Sequence, residues 1–411
     1  MTDSDLCFDA VLFDLDGTLV ATDRFWPDAA RAGALRAFAE LGLERALPSP
    51  QVWMGMVGLP LAEGFDSVFA DLEPAQRQVV LAACVEEEHR LLEEGAAGLL
   101  PGTVMALNFL AARGVRMGIA SNCSQGYLDA MMKGLGLGKW IPEGRCLDTR
   151  GISNKADMIE DLLQTFGTRR AVMVGDRSGD RQAAWANGVP HVHLARGYAQ
   201  AGESTVAEAT LEGLDQLPEL LGRRSEAVRE CVAGLGFPAE SAAWLGIGGL
   251  PGAGKSLWAE DLSAELRRQG WSVERVDLEH YRRPITAAWQ VDGDPLRAIQ
   301  QAYDLERLVE RMERPARDPG TVRILEGRYL LHSRVLQAVD RLLWIETPVE
   351  IAERRIEGRD GRLDGPPASA QFRGWDLPVA QALVAAVPPG NVAHRIEPGG
   401  NPLGRGPAGG E

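Results

Sequence analysis

Short apolar runs that are rich in β-branched residues recur along the chain, separated by longer stretches with helical periodicity. This alternation predicts α/β domains built on mainly parallel sheets, because each strand then returns through a crossover helix. In the first half the predicted strands are residues 10–15, 115–121, 171–175 and 191–195. In the second half they are residues 245–248, 273–278, 322–326, 342–346 and 393–396.

A long insertion, residues 22–98, separates the first two predicted strands and has helical patterning throughout. Within it, residues 28–41 and 74–92 place apolar side chains at three- and four-residue spacing, which is typical of amphipathic helices. Because the insertion follows the first strand directly, we expect it to lie over the carboxyl edge of the sheet. The pattern therefore predicts a Rossmann-like first domain with an inserted α-helical cap.

The predicted organisation is two three-layer α/β domains, which fits a chain of 411 residues at about 150 residues per domain. Residues 1–222 form the first domain with its cap. Residues 223–241, which contain a double arginine and Pro238, are predicted to connect it to a second domain over residues 242–398. The last residues, 399–411, are rich in glycine and proline and are predicted to be disordered.

The net charge is −15, and the acidity is concentrated in the first domain. Residues 1–240 hold 21 lysine and arginine residues against 34 aspartate and glutamate residues, whereas residues 241–411 hold 22 against 24. Proteins that grip a nucleic-acid backbone need a basic surface. The charge therefore disfavours nucleic acid as a partner and favours small phosphorylated molecules.

Cysteine usage and the ends of the chain indicate a cytoplasmic protein. The five cysteines are scattered without paired spacing, so neither disulfides nor a zinc site is expected. The first residues lack the basic region of a secretory signal. The longest uncharged run, residues 95–112, is broken by Pro101 and Gly102 and is interpreted as a loop entering a buried helix rather than a membrane span.

Two carboxylates, Asp14 and Asp16, follow the first predicted strand and are two residues apart. Their spacing places both on the same side where the strand gives way to a loop. Covalent hydrolysis of a phosphate monoester needs a nucleophile and a separate acid/base, and this pair supplies both. Asp14 is the candidate nucleophile, and Asp16 is the candidate acid and base. Thr18 offers a hydroxyl to the phosphate.

Three further elements follow the other strands of the first domain in order. Ser121 and Asn122 come after the second strand and are candidates to hold phosphoryl oxygens. Lys155 opens a predicted helix and can neutralise charge on the phosphate and the nucleophile. Asp176 and Asp180 follow the third strand as candidate ligands of Mg²⁺, together with Asp14 and Asp16.

This set of motifs resembles the haloacid dehalogenase superfamily, and within it the phosphoglycolate-phosphatase-like members that carry a helical cap. The resemblance covers about residues 8–221. Dehalogenases of the superfamily lack the second acid, so Asp16 favours phosphoryl transfer. A mutase is the alternative to a phosphatase.

The second half contains the phosphate-binding pattern GxxxxGK[ST], from Gly249 to Ser256, between a predicted strand and a predicted helix. In such a loop, backbone N–H groups cradle the β-phosphate, the lysine reaches the β- and γ-phosphates, and the serine binds Mg²⁺. This predicts a P-loop NTPase fold that binds ATP and Mg²⁺. The candidate ATP-binding residues in the loop are Gly249, Gly252, Ala253, Gly254, Lys255 and Ser256.

Downstream residues resemble the uridine kinase and phosphoribulokinase group of P-loop kinases over about residues 243–397. By that resemblance, an acid after the second strand is the general base on the acceptor hydroxyl, and either Asp277 or Glu279 occupies this place. The arginine-rich helix that contains Arg355 and Arg359 is expected to cover the triphosphate. Glu326 ends the third strand and is a candidate metal ligand beside Ser256.

The two halves together predict a bifunctional phosphatase and kinase that acts on small metabolites. The kinase acceptor is expected to be a nucleoside- or sugar-like hydroxyl. One alternative is nucleic-acid end repair, which pairs a 3′-phosphatase with a 5′-kinase. The other is that one half is inactive and regulatory.

Overall fold

The computed structural model describes residues 5–238, 242–283, 295–314, 319–360, 368–386 and 394–396. The chain divides into two compact units, Met1–Glu219 and Leu220–Glu411. Both are of the α/β class with parallel sheets, as the sequence predicts. The predicted disordered tail, 399–411, lies outside the described residues. In the described part of the chain, no helix combines the length and apolarity needed to cross a bilayer.

The first unit is Rossmann-like, with a six-stranded parallel sheet in the order β3-β2-β1-β4-β5-β6. Strand β1 is central, and the strand order reverses beside it, so its carboxyl end lies where ligands bind in open α/β sheets. The strands are β1 Ala10–Phe13, β2 Arg116–Ala120, β3 Glu143–Arg145, β4 Ala171–Gly175, β5 His191–Leu194 and β6 Ala209–Leu211.

The insertion after β1 forms a helical cap, as its periodicity predicts. Helices α1 and α4 pack against each other through small residues: a side chain at Gly33 of α1 would collide with the backbone of Cys84 in α4. The cap helices are α1 Trp26–Leu41, α2 Pro50–Gly55, α3 Leu61–Val68 and α4 Pro74–Glu93. The sheet is flanked by α5 Thr103–Ala112, α6 Gln125–Gly134, α7 Lys155–Phe166 and α8 Ser178–Ala186.

Helix α9, Leu217–Leu235, includes residues 223–235, which the sequence interpretation assigns to a connecting segment. The helix has an apolar stripe, because Val228, Val232 and Leu235 are all buried at four- and three-residue spacing. The charged residues between them obscure this stripe in the sequence. The segment is therefore regular structure.

The second unit has a five-stranded parallel sheet in the order β11-β10-β7-β9-β8. Its strands are β7 Ala243–Gly249, β8 Ser272–Asp277, β9 Thr321–Glu326, β10 Arg341–Ile345 and β11 His394–Ile396. Its helices are α10 Lys255–Arg268, α11 Pro295–Ala302, α12 Leu305–Glu313, α13 Ser333–Leu336, α14 Val349–Asp360, α15 Ala368–Gln371 and α16 Leu377–Ala386. As in the first unit, the strand order reverses beside the central strand, here β7.

Candidate active site

The predicted site residues of the first unit meet at the carboxyl edge of its sheet. Asp14 follows β1, Ser121 follows β2, and Asp176 follows β4, while Lys155 is the first residue of α7. The side chains of all four are at most 6% exposed. Parallel strands end at one edge, so residues far apart in sequence are brought together there.

Lys155 joins two of the carboxylates. Its Nζ donates hydrogen bonds to Asp14 Oδ1 at 2.7 Å and to Asp180 Oδ1 at 2.6 Å. Burial alone would lower the pKa of Lys155, but the charges of Asp14 and Asp180 outweigh it and raise the pKa. The side chain is therefore held as an ammonium ion between two carboxylates.

Asp14, Asp176 and Asp180 form a buried group in which one carboxylate oxygen from each lies within 4.8 Å of the others. Burial, reinforced by Asp180 and Asp16 against the opposing Lys155, raises the pKa of Asp14 to about 7. Burial and the charges of Asp14 and Asp180 likewise hold the pKa of Asp176 well above its usual range. One ammonium group does not balance three carboxylates, so the site favours a further cation.

Two oxygens of this group, Asp14 Oδ2 and Asp176 Oδ1, are buried without a hydrogen-bond partner in the described part of the chain. Buried polar atoms are normally satisfied, and an absent ion is a common reason for an exception. Carboxylate oxygens are the ligands that Mg²⁺ prefers. The three aspartates therefore fit a magnesium site.

At Gly17, beside this site, there is no room for a side chain. Gly17 has a φ of 77°, in the left-handed region, and a Cβ there would collide with Asp176. The backbone N–H of Tyr198, on the loop after β5, donates to Asp176 Oδ2, and the Tyr198 hydroxyl donates to Asp23 Oδ1 at 2.8 Å. Tyr198 therefore links Asp176 to the start of the cap.

Asp16 is bonded to a different set of side chains from the three aspartates. Its Oδ1 accepts hydrogen bonds from Thr22 Oγ1 at 2.5 Å and from the Tyr127 hydroxyl at 2.6 Å. Burial raises the pKa of Asp16, although both hydrogen bonds oppose the shift. The Asp16 side chain thus has hydrogen-bond partners of its own and is not among the three aspartates whose oxygens lie together. Its role as a metal ligand stays a prediction.

The three predicted phosphate ligands differ in their surroundings. Thr18 is fully buried, and its hydroxyl has no partner among the described residues. Ser121 lies at the end of β2 and, like Asn122, lines the cavity beneath the cap. The Asn122 amide, however, donates to the cap carbonyl of Gly58 at 3.0 Å. Asn122 therefore holds the cap, in addition to its predicted contact with phosphate.

A second hydrogen bond joins the cap to the sheet edge at the same place. The guanidinium of Arg177 donates to the carbonyl of Val57 and also pairs with Glu203 at 2.9 Å. Gly58, the next residue, has a φ of 86°, and a Cβ there would lie 3.1 Å from the Arg177 side chain. The carbonyls of Val57 and Gly58 thus form a paired attachment, which we call the cap latch.

In the second unit, the glycine-rich loop follows the central strand β7 and leads into α10. Gly249, Gly252 and Gly254 all have positive φ, at 149°, 74° and 88°. Ala253 is fully buried, and Lys255 Nζ donates to the Leu250 carbonyl at 2.8 Å. Ser256 is the second residue of α10, so its position is at the N-terminus of that helix.

Two arginines of α14 were predicted to contact nucleotide. Arg355 is 5% exposed and donates through Nη1 to the Gly252 carbonyl at 3.2 Å, so it lies against the loop. Arg359 belongs to α14, but its side chain lies outside the described residues. The structure therefore brings Arg355 to the predicted phosphate site.

The predicted acidic site residues of the second unit form hydrogen bonds or ion pairs with neighbouring residues. Glu326, at the end of β9, pairs with Arg275 at 2.5 Å. Asp277 Oδ1 accepts from the backbone N–H of Glu279 at 2.9 Å, which caps the short helix that follows β8. Glu279 accepts from the Tyr303 hydroxyl at 2.8 Å and pairs with Arg328 at 3.3 Å. The choice between Asp277 and Glu279 as base stays open.

Comparison with known proteins identifies the first unit. A family model described as haloacid dehalogenase-like hydrolase matches residues 8–188. The chain is 32% identical over 225 residues to a phosphoglycolate phosphatase of Rhodospirillum rubrum, covering 52% of this chain and 90% of that relative. This chain belongs to the haloacid dehalogenase-like hydrolase family. Its N-terminal unit is a haloacid dehalogenase-like phosphatase.

Two further matches involve the same half of the chain. It is 30% identical over 223 residues to a phosphoglycolate phosphatase of Pseudomonas putida, covering 51% of this chain and 78% of that relative. A solved structure, that of a predicted phosphoglycolate phosphatase from Haemophilus somnus, is 18% identical with a TM-score of 0.46, covering 52% of this chain and 98% of that one. Haloacid dehalogenase-like phosphatases use Mg²⁺, for which the aspartate group described above is present.

The haloacid dehalogenase-like phosphatase unit also contains site residues that the sequence interpretation did not select. A cavity lies beneath the cap, and Asp16, Thr22, Glu88 and Tyr127 line it. Glu88 follows the buried residues Val80 and Cys84 at four-residue spacing on α4. This spacing could have identified Glu88 as a buried residue. Its neighbours Glu86 and Glu87, however, give the segment the pattern of a solvent-exposed charged surface.

Proposed function

We propose that the first unit hydrolyses small phosphate monoesters through an aspartyl-phosphate formed on Asp14. The observation that carries the proposal is the different bonding of two acids, Asp14 and Asp16. Asp14 lies in a group that attracts cations, 2.7 Å from Lys155, whereas Asp16 is oriented by two hydroxyl groups at the cavity. A nucleophile and a separate acid/base are what covalent phosphate-ester hydrolysis requires.

In the first step the carboxylate of Asp14 attacks phosphorus, the bond from phosphorus to the ester oxygen breaks, and Asp16 gives its proton to that oxygen. The raised pKa of Asp16 favours its holding this proton beforehand. In the second step Asp16 takes a proton from water, the water oxygen bonds to phosphorus, and the phosphate leaves Asp14. Mg²⁺ held by Asp14, Asp176 and Asp180 would stabilise negative charge on the phosphoryl oxygens.

The test of this proposal is hydrolysis of an aryl phosphate by Asp14→Asn. We expect turnover to fall by at least about 10³, because the amide is not a nucleophile. Asp129→Asn is the matched control, since Asp129 is an exposed aspartate on α6. Unchanged hydrolysis in Asp14→Asn would refute the nucleophile assignment. Phosphate transfer to a second position of the substrate, without release, would favour a mutase.

We further propose that the second unit binds ATP and Mg²⁺ and phosphorylates a hydroxyl of a small molecule. The support is the GxxxxGK[ST] loop, which lies between the central strand β7 and α10 and has three glycines at positive φ. Such loops bind phosphate through backbone N–H groups at a helix N-terminus. Arg355 lies against this loop and adds positive charge for a triphosphate.

An apolar cleft beside the loop supports a nucleotide as the ligand. It is lined by Leu250 of the loop together with Pro348, Val349, Leu377 and Ala380. A flat base stacks readily on such surfaces. For the acceptor, Glu279 with Tyr303, Arg328 and Asp376 forms a polar network that extends from the end of β8. This network is the proposed acceptor side, with Asp277 or Glu279 as the base.

The kinase proposal is tested by ATP binding and by a phosphorylation screen. Lys255→Ala should weaken ATP binding by at least about tenfold in calorimetric titration, and equal affinity would refute the assignment. A screen of sugars, nucleosides and a 5′-hydroxyl oligonucleotide with labelled ATP then identifies the acceptor. Transfer to the oligonucleotide at physiological salt would favour end repair. ATP binding without transfer to any acceptor would favour a regulatory unit.

A further inference from the structure

Glu88 is a buried acid in the substrate cavity of the phosphatase unit. It belongs to the cap helix α4, is 8% exposed, and lines the cavity together with Asp16. Its carboxyl group feels the charge of Asp16, which lines the same cavity. A carboxyl group that is largely removed from water needs hydrogen-bond partners, and at this position a substrate group in the cavity can supply one.

The cavity offers no positive charge to a substrate. Its lining in the described residues consists of apolar groups such as Trp26, hydroxyl groups such as Thr22, the amide of Asn122, the thiol of Cys123, and the two acids. No lysine, arginine or histidine is among them. A substrate carboxylate placed here would lose its hydration without gaining a cationic partner.

The nearest cations of the site are already engaged. Lys155 is bonded to Asp14 and Asp180, on the phosphate side of the cavity. The guanidinium of Arg177 is bonded to Glu203 and to the Val57 carbonyl. Neither side chain lines the cavity, so the non-phosphate part of a substrate meets Glu88 and not a cation.

On the basis of the proposed phosphatase function, we propose that the ionised carboxylate of Glu88 selects substrates whose carbon skeleton presents a hydroxyl or ammonium group, and rejects those that present a carboxylate. Glu88 accepts a hydrogen bond from that group. The relatives are phosphoglycolate phosphatases, so this chain differs from them in substrate class.

Three two-carbon phosphates that differ in their terminal group test the proposal: phosphoethanolamine, 2-hydroxyethyl phosphate and phosphoglycolate. At pH 8.5 with Mg²⁺, we expect the full-length protein to hydrolyse the first two with at least tenfold higher kcat/KM than phosphoglycolate. Equal or higher kcat/KM for phosphoglycolate would overturn the inference. Hydrolysis of an aryl phosphate, measured in parallel, shows whether the proposed phosphatase itself holds. If no ester is hydrolysed, both proposals fail.

Variants then show whether Glu88 is the residue responsible. Glu88→Gln should reduce the preference for phosphoethanolamine over phosphoglycolate at least tenfold, mainly through KM. The matched control is Glu86→Gln, which removes a charge from the same helix at a side chain that is 70% exposed. An unchanged preference in Glu88→Gln, or an equal loss in Glu86→Gln, would overturn the role of Glu88.

Discussion

Replacing Glu88 by glutamine should stabilise the first unit, by an amount that depends on pH. Burial, with a smaller contribution from Asp16, raises the pKa of Glu88 from 4.5 to about 8. An acid whose pKa is raised on folding contributes most to stability below its unfolded pKa and loses that contribution as pH rises through the folded value. Glutamine does not titrate, so the difference in the free energy of unfolding between the variant and wild type should grow between about pH 4.5 and pH 8.

The size of this stabilisation follows from the shift in the pKa of Glu88. Each pKa unit corresponds to about 1.4 kcal/mol, so a rise from 4.5 to about 8 gives an upper bound of about 5 kcal/mol above pH 8. The other titratable groups that face Glu88 are Asp16, Cys84 and Tyr127. Burial raises the pKa of the Cys84 thiol to about 12, and that of the Tyr127 hydroxyl is raised as well. Both therefore stay neutral over this range.

The assay must report on the first unit alone, because a chain of two units does not unfold in one step. Hydrogen exchange of peptides that contain β1 and β4, measured across a urea series at pH 5, 6.5 and 8.5, gives the free energy of unfolding of the first unit. Glu86→Gln should stay within about 0.5 kcal/mol of wild type at every pH, since exposed ion pairs contribute little. A constant difference between Glu88→Gln and wild type across pH would refute the reasoning.

Three other predictions concern the catalytic edge. Lys155→Met should destabilise the first unit by about 3–5 kcal/mol in the same hydrogen-exchange assay, because it leaves Asp14 and Asp180 buried without their cation; a loss below 1 kcal/mol would contradict this. Gly17→Ala should weaken Mg²⁺ binding at least tenfold in calorimetric titration, since the added Cβ displaces Asp176; unchanged affinity would argue against the metal site. Thr22→Val should lower kcat about tenfold and leave KM for an aryl phosphate similar, because Asp16 loses an orienting hydrogen bond; a change in KM alone would assign Thr22 to substrate binding instead.

Much of the fold could be predicted because its signals are local. Helix α7 begins at Lys155, where the sequence predicts the start of a helix, and β4 covers residues 171–175 as predicted. Strands β3 and β6 have three residues each, too few for a periodic pattern, and they exist because neighbouring strands offer hydrogen bonds. Short edge strands of this kind depend on tertiary pairing, which sequence periodicity does not report.

The same distinction applies to the candidate site, where some residues are marked by local signals and others only by the fold. Asp14, Lys155 and Asp176 could be selected because each stands at a strand end or a helix start. Glu88 could not be selected by charge, because it lies beside two other glutamates and only the packing of α4 distinguishes its environment. The hydrogen bonds of Thr22 and Tyr127 to Asp16 join residues 6 and 111 positions away. Such contacts follow from the fold and not from any motif.

The cap latch has a consequence for how this enzyme can change. Both of its acceptors, at Val57 and Gly58, are backbone carbonyls, so the attachment of the cap does not depend on the identity of the Val57 side chain. Cap residues that face the substrate can therefore be exchanged without detaching the cap from the catalytic edge. The attachment rests on main-chain atoms, whereas the proposed substrate preference rests on the side chain of Glu88, so selection can act on one while the other is conserved.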